Sequence, residues 1–425
     1  MAHFGFIAPP LAGHLNPMAA LARALVARGH RATFVHQADV EPLVRGEGIG
    51  FRAVGQGSHP PGALVAEVDR LTRLNGFSGL RPMIRDTARA TDMLCREAPA
   101  ALLDLGVEAI VTDQMEAAGG LLAEHLRLPY VSVANGLMLN REPDVPPPYT
   151  GWPYDPSERG RYWNVGGYRI VDWLLGDVHA VIERHARAWG LQHRRTVEDC
   201  FSPLAQISQA VPGFDFPRRA LPSTFHYAGP LRDLDTPEAA PPRMPPDDGR
   251  PLVYASLGTL QGGRAGLFGR ISAACRDLDL RLVIAHGGRL SEAQAAALPG
   301  APLVLPFVPQ RALLRHASVL VSNAGLNTIL DALSRGVPIV ALPLAFEQGA
   351  TAARLARTGA GEVVRTRLTT RRLRAALERV LGQPSYRDCA ASLRGEIEAA
   401  GGTARAADIV EAVAGGRSVA ATRAA

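Results

Sequence analysis

The sequence predicts an α/β protein made of two doubly wound domains. Three observations carry that prediction. At 425 residues the chain exceeds one ordinary core, so two domains are expected. Each half opens on a short apolar run, HFGFIAP (3–9) and PLVYASLGT (251–259), that leads into a loop or glycine turn as buried parallel strands do. Between them, 232–250 holds five prolines, five acidic residues and almost no apolar periodicity, the composition of a linker. The expected organisation is a first domain over 1–231, a linker over 232–250, a second domain over 251–400, and a last helix and tail over 401–425.

Composition narrows the class. Hydrophobic residues make up 47% and charged residues 20%, as in globular proteins of aqueous compartments. There is no 18-residue apolar run, and no basic segment precedes the first strand. Neither a signal peptide nor a spanning helix is expected, and the expected location is the cytoplasm. Cys95, Cys200, Cys275 and Cys389 lie far apart and read as reduced structural thiols. The formal charge of +6 rests wholly on arginine, for the chain has no lysine. Nothing in it points to a nucleic-acid partner. The pairs Arg218-Arg219 and Arg371-Arg372 read as solvated faces, which could also rest on an anionic membrane.

Taken in order, HFGFIAP is a strand and Pro10 to Asn16 a loop. Asn16 caps a helix with Pro17 at its first position, and the helix runs to Arg28 before Gly29. RATFVHQ (31–37) completes a βαβ unit without a G-x-G-x-x-G, which argues against a dinucleotide dehydrogenase. His14 lies in the loop at the carboxyl end of the first strand. EAIVTD (108–113) is a buried strand ending in Asp113, which by itself reads as a helix cap before Met115. From Gly57 to Leu175 the chain is irregular and rich in Pro, Gly and aromatics, as loops and short helices between strands are. Trp152, Tyr154, Tyr162, Trp163, Tyr168 and Trp173 cluster there. Core packing is expected for most of them; the sharper alternative is an apolar groove for a long, greasy ligand, with a membrane-facing rim. The D-x-D triplets Asp233/Asp235 and Asp277/Asp279 follow no strand at a pocket and are rejected as metal sites.

The most informative stretch is 303–348. VLVS (319–322) is a buried strand, Asn323-Ala324-Gly325 a tight turn, and LNTILDALSR (326–335) a helix stopped by Gly336. A turn entering a helix presents free N–H groups that stabilise an anion such as a phosphate. Asn327 and Thr328 add donors, and Asp331 one turn on can accept from a pair of hydroxyls. Glu347-Gln348 follow the next strand at its carboxyl end, where open α/β sheets bind ligands.

This stretch resembles the donor signature of family-1 glycosyltransferases, GT-B enzymes that use nucleotide sugars; the resemblance implies two Rossmann-like doubly wound domains facing each other across a cleft, with the last helix crossing back to the first domain. The resemblance is carried by Phe307-Val308-Pro309-Gln310, by Asn323-Ala324-Gly325-Leu326-Asn327-Thr328-Ile329-Leu330-Asp331 and by Glu347-Gln348. It implies that Phe307 stacks on uracil, with Val308 and Gln310 at its edge. Asn323, Gly325, Asn327 and Thr328 would hold the diphosphate, with Thr259 near its β-phosphate. Asp331 would take the ribose hydroxyls, and Glu347 and Gln348 those of the sugar. It further implies His14 as general base with Asp113 as its carboxylate partner, an inverting displacement, UDP-glucose as co-substrate, and no metal or other cofactor. Two positions depart from the family pattern. Asn323 stands where a histidine is usual, and its amide donates but carries no positive charge. Glu347 stands for the commoner aspartate and is one methylene longer.

Segments in both domains, among them TDMLCRE (91–97), NREPD (140–144), FDFPRRALP (214–222) and GTARAADIVE (402–411), are similar to the carotenoid-glucosylating members of that family. That likeness implies an apolar carotenoid, zeaxanthin, as acceptor, glucosylated at one ring hydroxyl and then the other. Residue spacing alone gives only an apolar, aromatic cleft. Another apolar alcohol (a macrolide, polyketide or sterol) or a non-catalytic nucleotide-sugar-binding homologue remains open at this level.

Overall fold

The computed structural model describes residues 1–73, 77–191, 194–233, 243–365 and 368–417. Seven strands form the first sheet: β1 (His3–Ile7), β2 (Arg31–His36), β3 (Ile49–Ala53), β4 (Ala109–Asp113), β5 (Tyr130–Ala134), β6 (Gln206–Ser208) and β7 (Phe225–Tyr227). Six form the second: β8 (Leu252–Ser256), β9 (Arg281–Ala285), β10 (Leu303–Leu305), β11 (Val319–Ser322), β12 (Ile339–Ala341) and β13 (Gly361–Val363). The orders are β3-β2-β1-β4-β5-β6-β7 and β10-β9-β8-β11-β12-β13. Every pairing is parallel. β1, β4, β5, β8 and β11 are buried along their whole length, because helices cover both faces of a parallel sheet. In each sheet the strand order reverses near the centre, between β1 and β4 and between β8 and β11. Such a reversal leaves a crevice beyond the carboxyl ends of the strands, where open α/β sheets bind ligands.

The last helix, Gly402–Ala414, returns to the first half. Its Ile409, Val410 and Val413 join Leu21 and Leu25 of the Ala12–Ala27 helix in one buried cluster. Arg28 donates to Asp408 and Glu411 at the rim of that contact. Cys95, Cys200 and Cys275 are buried free thiols, and Cys389 is half-buried and free.

Four local expectations need correction. The first helix begins at Ala12, with Leu11 at its cap, so Gly13, His14, Asn16 and Pro17 lie inside it rather than before it. Proline tolerates this position because the missing N–H frees a single carbonyl, that of Gly13, four residues back. The region from Gly57 to Leu175 is less irregular than its composition suggests: it contains the 29-residue helix Phe77–Leu105 and the 17-residue helix Glu158–Leu174. Of the aromatic cluster only Tyr168 is fully buried, while Trp152, Tyr162, Trp163 and Trp173 are exposed. Arg218 is no solvated face. Its guanidinium is buried, donating to Asp215 at 2.8 Å and to the Asn140 carbonyl at 2.8 Å, with the Glu142 carboxylate 3.9 Å away, so its charge is met inside the protein.

Asp233 pairs with Arg23, Asp277 with Arg276 and Asp279 with Arg250. Asp235 and most of the expected linker, 234–242, lie outside the described residues, as does the tail beyond Arg417.

Candidate active site

β1 delivers the chain into the Ala12–Ala27 helix, whose first turn carries His14 over the end of β4. His14 Nδ1 lies 2.8 Å from Asp113 Oδ2. A carboxylate can only accept, so Nδ1 carries the proton and Nε2 keeps its lone pair. Asp113 is fully buried and also accepts from Met115 N at 2.7 Å and Asn135 Nδ2 at 2.7 Å. It therefore does not cap the following helix, Ala117–Leu126; that role falls to Glu116, whose side chain accepts from Ala118 N. Burial alone pulls the His14 imidazole down. The Asp113 charge and hydrogen bond, with help from Glu347 in the other half, leave it above the ordinary histidine value of 6.5.

In the second half, β11 runs into Asn323, Ala324 and the helix Leu326–Leu333. The left-handed residue of this turn is Ala324, at φ 65°, and not the glycine beside it. A non-glycine residue in that region is strained, and the strain sits where the turn must aim its N–H groups. No side chain caps the helix N-terminus. Asn323 is buried, its Oδ1 accepting from Gly325 N at 3.3 Å. The turn after β8, with Gly258 and the exposed Thr259, lies against it. Phe307 is 66% exposed, a large ring with no cover, and Val308 is half-buried beside it. Glu347 is half-buried at the start of the helix Gln348–Thr358 and makes no capping bond. Gln348 is buried, and its Oε1 accepts from Leu344 N and Ala345 N, both at 2.9 Å. Thr328 is half-buried in the first turn of Leu326–Leu333.

The halves meet through the same residues. The Gly13 carbonyl that Pro17 cannot satisfy accepts from Asn327 Nδ2 at 2.7 Å, so a helix defect in one half becomes a contact with the other. Arg232, just after β7, sends its Nε to Asp331 Oδ1 at 2.7 Å and its Nη2 to Asn327 Oδ1 at 3.2 Å. Its Nη1 donates to Gln209 Oε1 at 2.8 Å. Gln310 Nε2 fills the second Asp331 oxygen at 2.7 Å. Gln209 Nε2 in turn donates to Asn135 O at 3.0 Å. Hydrogen bonds thus run without a break from His14 through Asp113, Asn135, Gln209 and Arg232 to Asp331.

Comparison with known proteins gives this arrangement a family. Residues 204–395 match the family described as UDP-glucoronosyl and UDP-glucosyl transferase. The zeaxanthin glucosyltransferase of Pantoea ananas is 43% identical over 97% of this chain and 96% of its own length. The chain belongs to the UDP-glycosyltransferase family. The zeaxanthin glucosyltransferase of Pseudescherichia vulneris is 40% identical over 99% of the transferase and all of its own length. Among solved structures, the calicheamicin glycosyltransferase CalG4 aligns over 98% of both chains with a TM-score of 0.77 at 25% identity. The glycotransferase of kitacinnamycin gives 0.75 over 97% of the transferase and 98% of its own chain, at 20% identity. The two facing parallel sheets are the GT-B fold expected from the sequence. As a member of this family the transferase takes its sugar from a UDP-sugar donor.

The expected site residues fall into two groups that the fold brings to one crevice. His14 and Asp113 come from the first half, and the donor-signature residues from the second. Asn135, Gln209 and Arg232 were missed. Asn135 and Gln209 each follow a short strand, as Asp113 ends one, so a polar residue at a strand's carboxyl end was a usable signal. Arg232 had none, standing at the start of a stretch that reads as linker.

Proposed function

We propose that the transferase moves glucose from UDP-glucose to the ring hydroxyls of zeaxanthin, giving first the mono- and then the di-β-glucoside. The reading rests on the two zeaxanthin glucosyltransferases that match nearly its whole length, the acceptor half included. The single geometric observation in its favour is the His14–Asp113 pair at 2.8 Å, held in the crevice opposite the donor-signature helix.

In this reading His14 Nε2 takes the proton from the acceptor hydroxyl as that oxygen attacks C1 of the glucose. The new C1–O bond forms as the bond to the UDP oxygen breaks, with inversion, and Asp113 stabilises the imidazolium. UDP leaves against the helix N-terminus at Gly325, with Asn323, Asn327, Thr328 and Thr259 as donors and no metal. Phe307, Val308 and Gln310 face the uracil, Asp331 the ribose, and Glu347 and Gln348 the sugar. Several of these groups already hold protein partners: Gln348 Oε1 accepts from backbone N–H groups, Asp331 accepts from Arg232 and Gln310, and Asn327 Nδ2 donates to the Gly13 carbonyl. Gln348 therefore offers its amide N–H group to the sugar, and Asp331 its remaining lone pairs to the ribose. An acceptor of this kind resides in lipid. We accordingly place the enzyme in the cytoplasm, in peripheral contact with the inner face of the membrane.

The test is UDP release from UDP-glucose with zeaxanthin in detergent micelles, beside His14→Ala and a panel of apolar alcohols. Turnover to mono- and diglucoside, reduced about 10²–10⁴-fold in the variant, is expected. Release only with other alcohols sinks the carotenoid acceptor, and nucleotide binding without release on any alcohol sinks the enzyme reading.

A further inference from the structure

The Glu158–Leu174 helix wears its apolar side outward. Of the large hydrophobic residues exposed among the described residues, Tyr162, Trp163, Val165, Ile170 and Trp173 all lie on it. At 3.6 residues per turn, Tyr162, Trp163, Ile170 and Trp173 fall within about 100° of its circumference. The side that packs inward is made instead of small and polar residues, Gly160, Asn164, Gly167 and Tyr168. Tyr168 hydroxyl donates to Val145 O and Asn164 Nδ2 to Pro143 O, so the inward side is satisfied as it stands. A helix that exists only to cover a core has the opposite pattern. Trp173 and Tyr162 are 69% and 75% exposed, large rings left in water.

The charges around this face favour an anionic partner. The Arg81 guanidinium lies over the Trp173 ring at 5.9 Å, and Arg159 and Arg169 are exposed on the helix itself. Of the two acids on the helix, Asp172 is held by Arg141, leaving Glu158 at the first turn. Tryptophan and tyrosine rings flanked by guanidinium groups suit the boundary between headgroups and acyl chains. No helix among the described residues is long and apolar enough to cross a membrane, so the fitting mode is one that lies on the surface.

We propose that this face docks the transferase on an anionic phospholipid bilayer. Trp163, Ile170 and Trp173 enter the boundary, while Arg81, Arg159 and Arg169 meet lipid phosphates. The inference rests on the apolar-acceptor reading and adds a route to it. The segment beneath the helix packs Trp152 on Gly167 and then brings Gly151 against Gly349, beside Glu347 and Gln348. An acceptor leaving the bilayer here reaches the rim of the site without crossing open water.

The experiment compares wild type with Trp163→Ser/Trp173→Ser on sedimenting vesicles of neutral phosphatidylcholine, with and without phosphatidylglycerol, and follows zeaxanthin turnover in vesicles and in micelles. UDP affinity serves as the check on folding. The expected result is preferential wild-type binding to anionic vesicles, and a loss of about tenfold or more in vesicle binding and vesicle turnover in the variant. Turnover in micelles and UDP affinity are retained. Unchanged vesicle binding by the variant overturns the proposal, as does equal wild-type binding to neutral and anionic vesicles. An equal fall of turnover in vesicles and micelles overturns it in favour of an acceptor cleft. Self-association through this face without vesicle binding overturns it in favour of a second copy. Vesicle binding that follows the two tryptophans, with no glucosylation of zeaxanthin, leaves the surface standing and removes the acceptor reading instead.

Discussion

Of the arginine–aspartate pairs that join the halves of this transferase, two share a length of 2.7 Å and differ in almost everything else. Arg354 and Asp215 meet at 2.7 Å, both with side chains 2% exposed or less, and Arg218 and the Tyr227 hydroxyl complete the Asp215 shell. Arg232 and Asp331 also meet at 2.7 Å, but in the crevice between the halves, with side chains 19% and 9% exposed. The first pair is dry and has no route to exchange partners. Burial opposes the Asp215 charge, yet Arg354 and Arg218 overcome it and hold the carboxyl at about 2. The second pair lies where the UDP ribose is proposed to bind, and its carboxylate has lone pairs to share. Burial thus decides which pair pins the halves together and which can respond to a ligand.

Breaking the dry pair gives the largest expected effect. Asp215→Ala leaves the buried Arg354 guanidinium without a carboxylate and Arg218 with only the more distant Glu142, and should destabilise the protein by about 3–5 kcal/mol, read as a lowered unfolding midpoint. Because the folded carboxyl is depressed, its contribution is present above the unfolded value of about 3.9 and disappears as pH falls through about 2. An unchanged midpoint in the variant would remove the pin.

Asp113 sharpens the comparison, being as buried as Asp215 but placed in the site. Asp113→Asn should reduce kcat/KM by about 10²–10⁴-fold, since an amide does not hold the imidazolium. The pH profile carries the sign. His14 must be neutral to act as base and its value is raised, so the acid limb of kcat/KM lies above 6.5 in wild type and moves down in the variant. A limb that stays in place would show that another group titrates there.

Arg232→Met tests the exchangeable pair. KM for UDP-glucose should rise about tenfold with kcat and the unfolding midpoint little changed, and Arg232→Lys should restore part of the loss. A large fall in stability instead would make this pair a second pin. The smallest effect is expected from Pro17→Ala, which returns an N–H to the Gly13 carbonyl and so competes with Asn327. KM for UDP-glucose should rise about two- to fivefold, a change of under about 1 kcal/mol, while the first helix gains stability. No change in KM would show that the Gly13–Asn327 bond does not order the donor turn.

Much of this was legible in the chain. Short apolar runs followed by turns marked β1, β4, β8 and β11, because a strand buried on both faces has little room for polar residues. The donor turn and its helix were legible because consecutive residues build them. The Ala12 start of the first helix was not, since local rules favour proline in the first helical turn and only the contact with Asn327 gives the freed carbonyl a partner. Arg218 read as solvated because the acid that buries it is itself buried by Arg354, from the far half of the chain.

The sequence by itself determined the two doubly wound halves, the turn after β11, the aspartate at the end of β4 and the histidine in the segment that follows β1. These follow from local periodicity and from side chains fixed to the ends of short strands. The tertiary structure alone decided that His14 meets Asp113, that Arg232 leaves its linker to hold Asp331, and that the aromatics of the Glu158–Leu174 helix face outward. Each depends on which surface packs against which, and that is fixed by contacts between residues far apart in the chain.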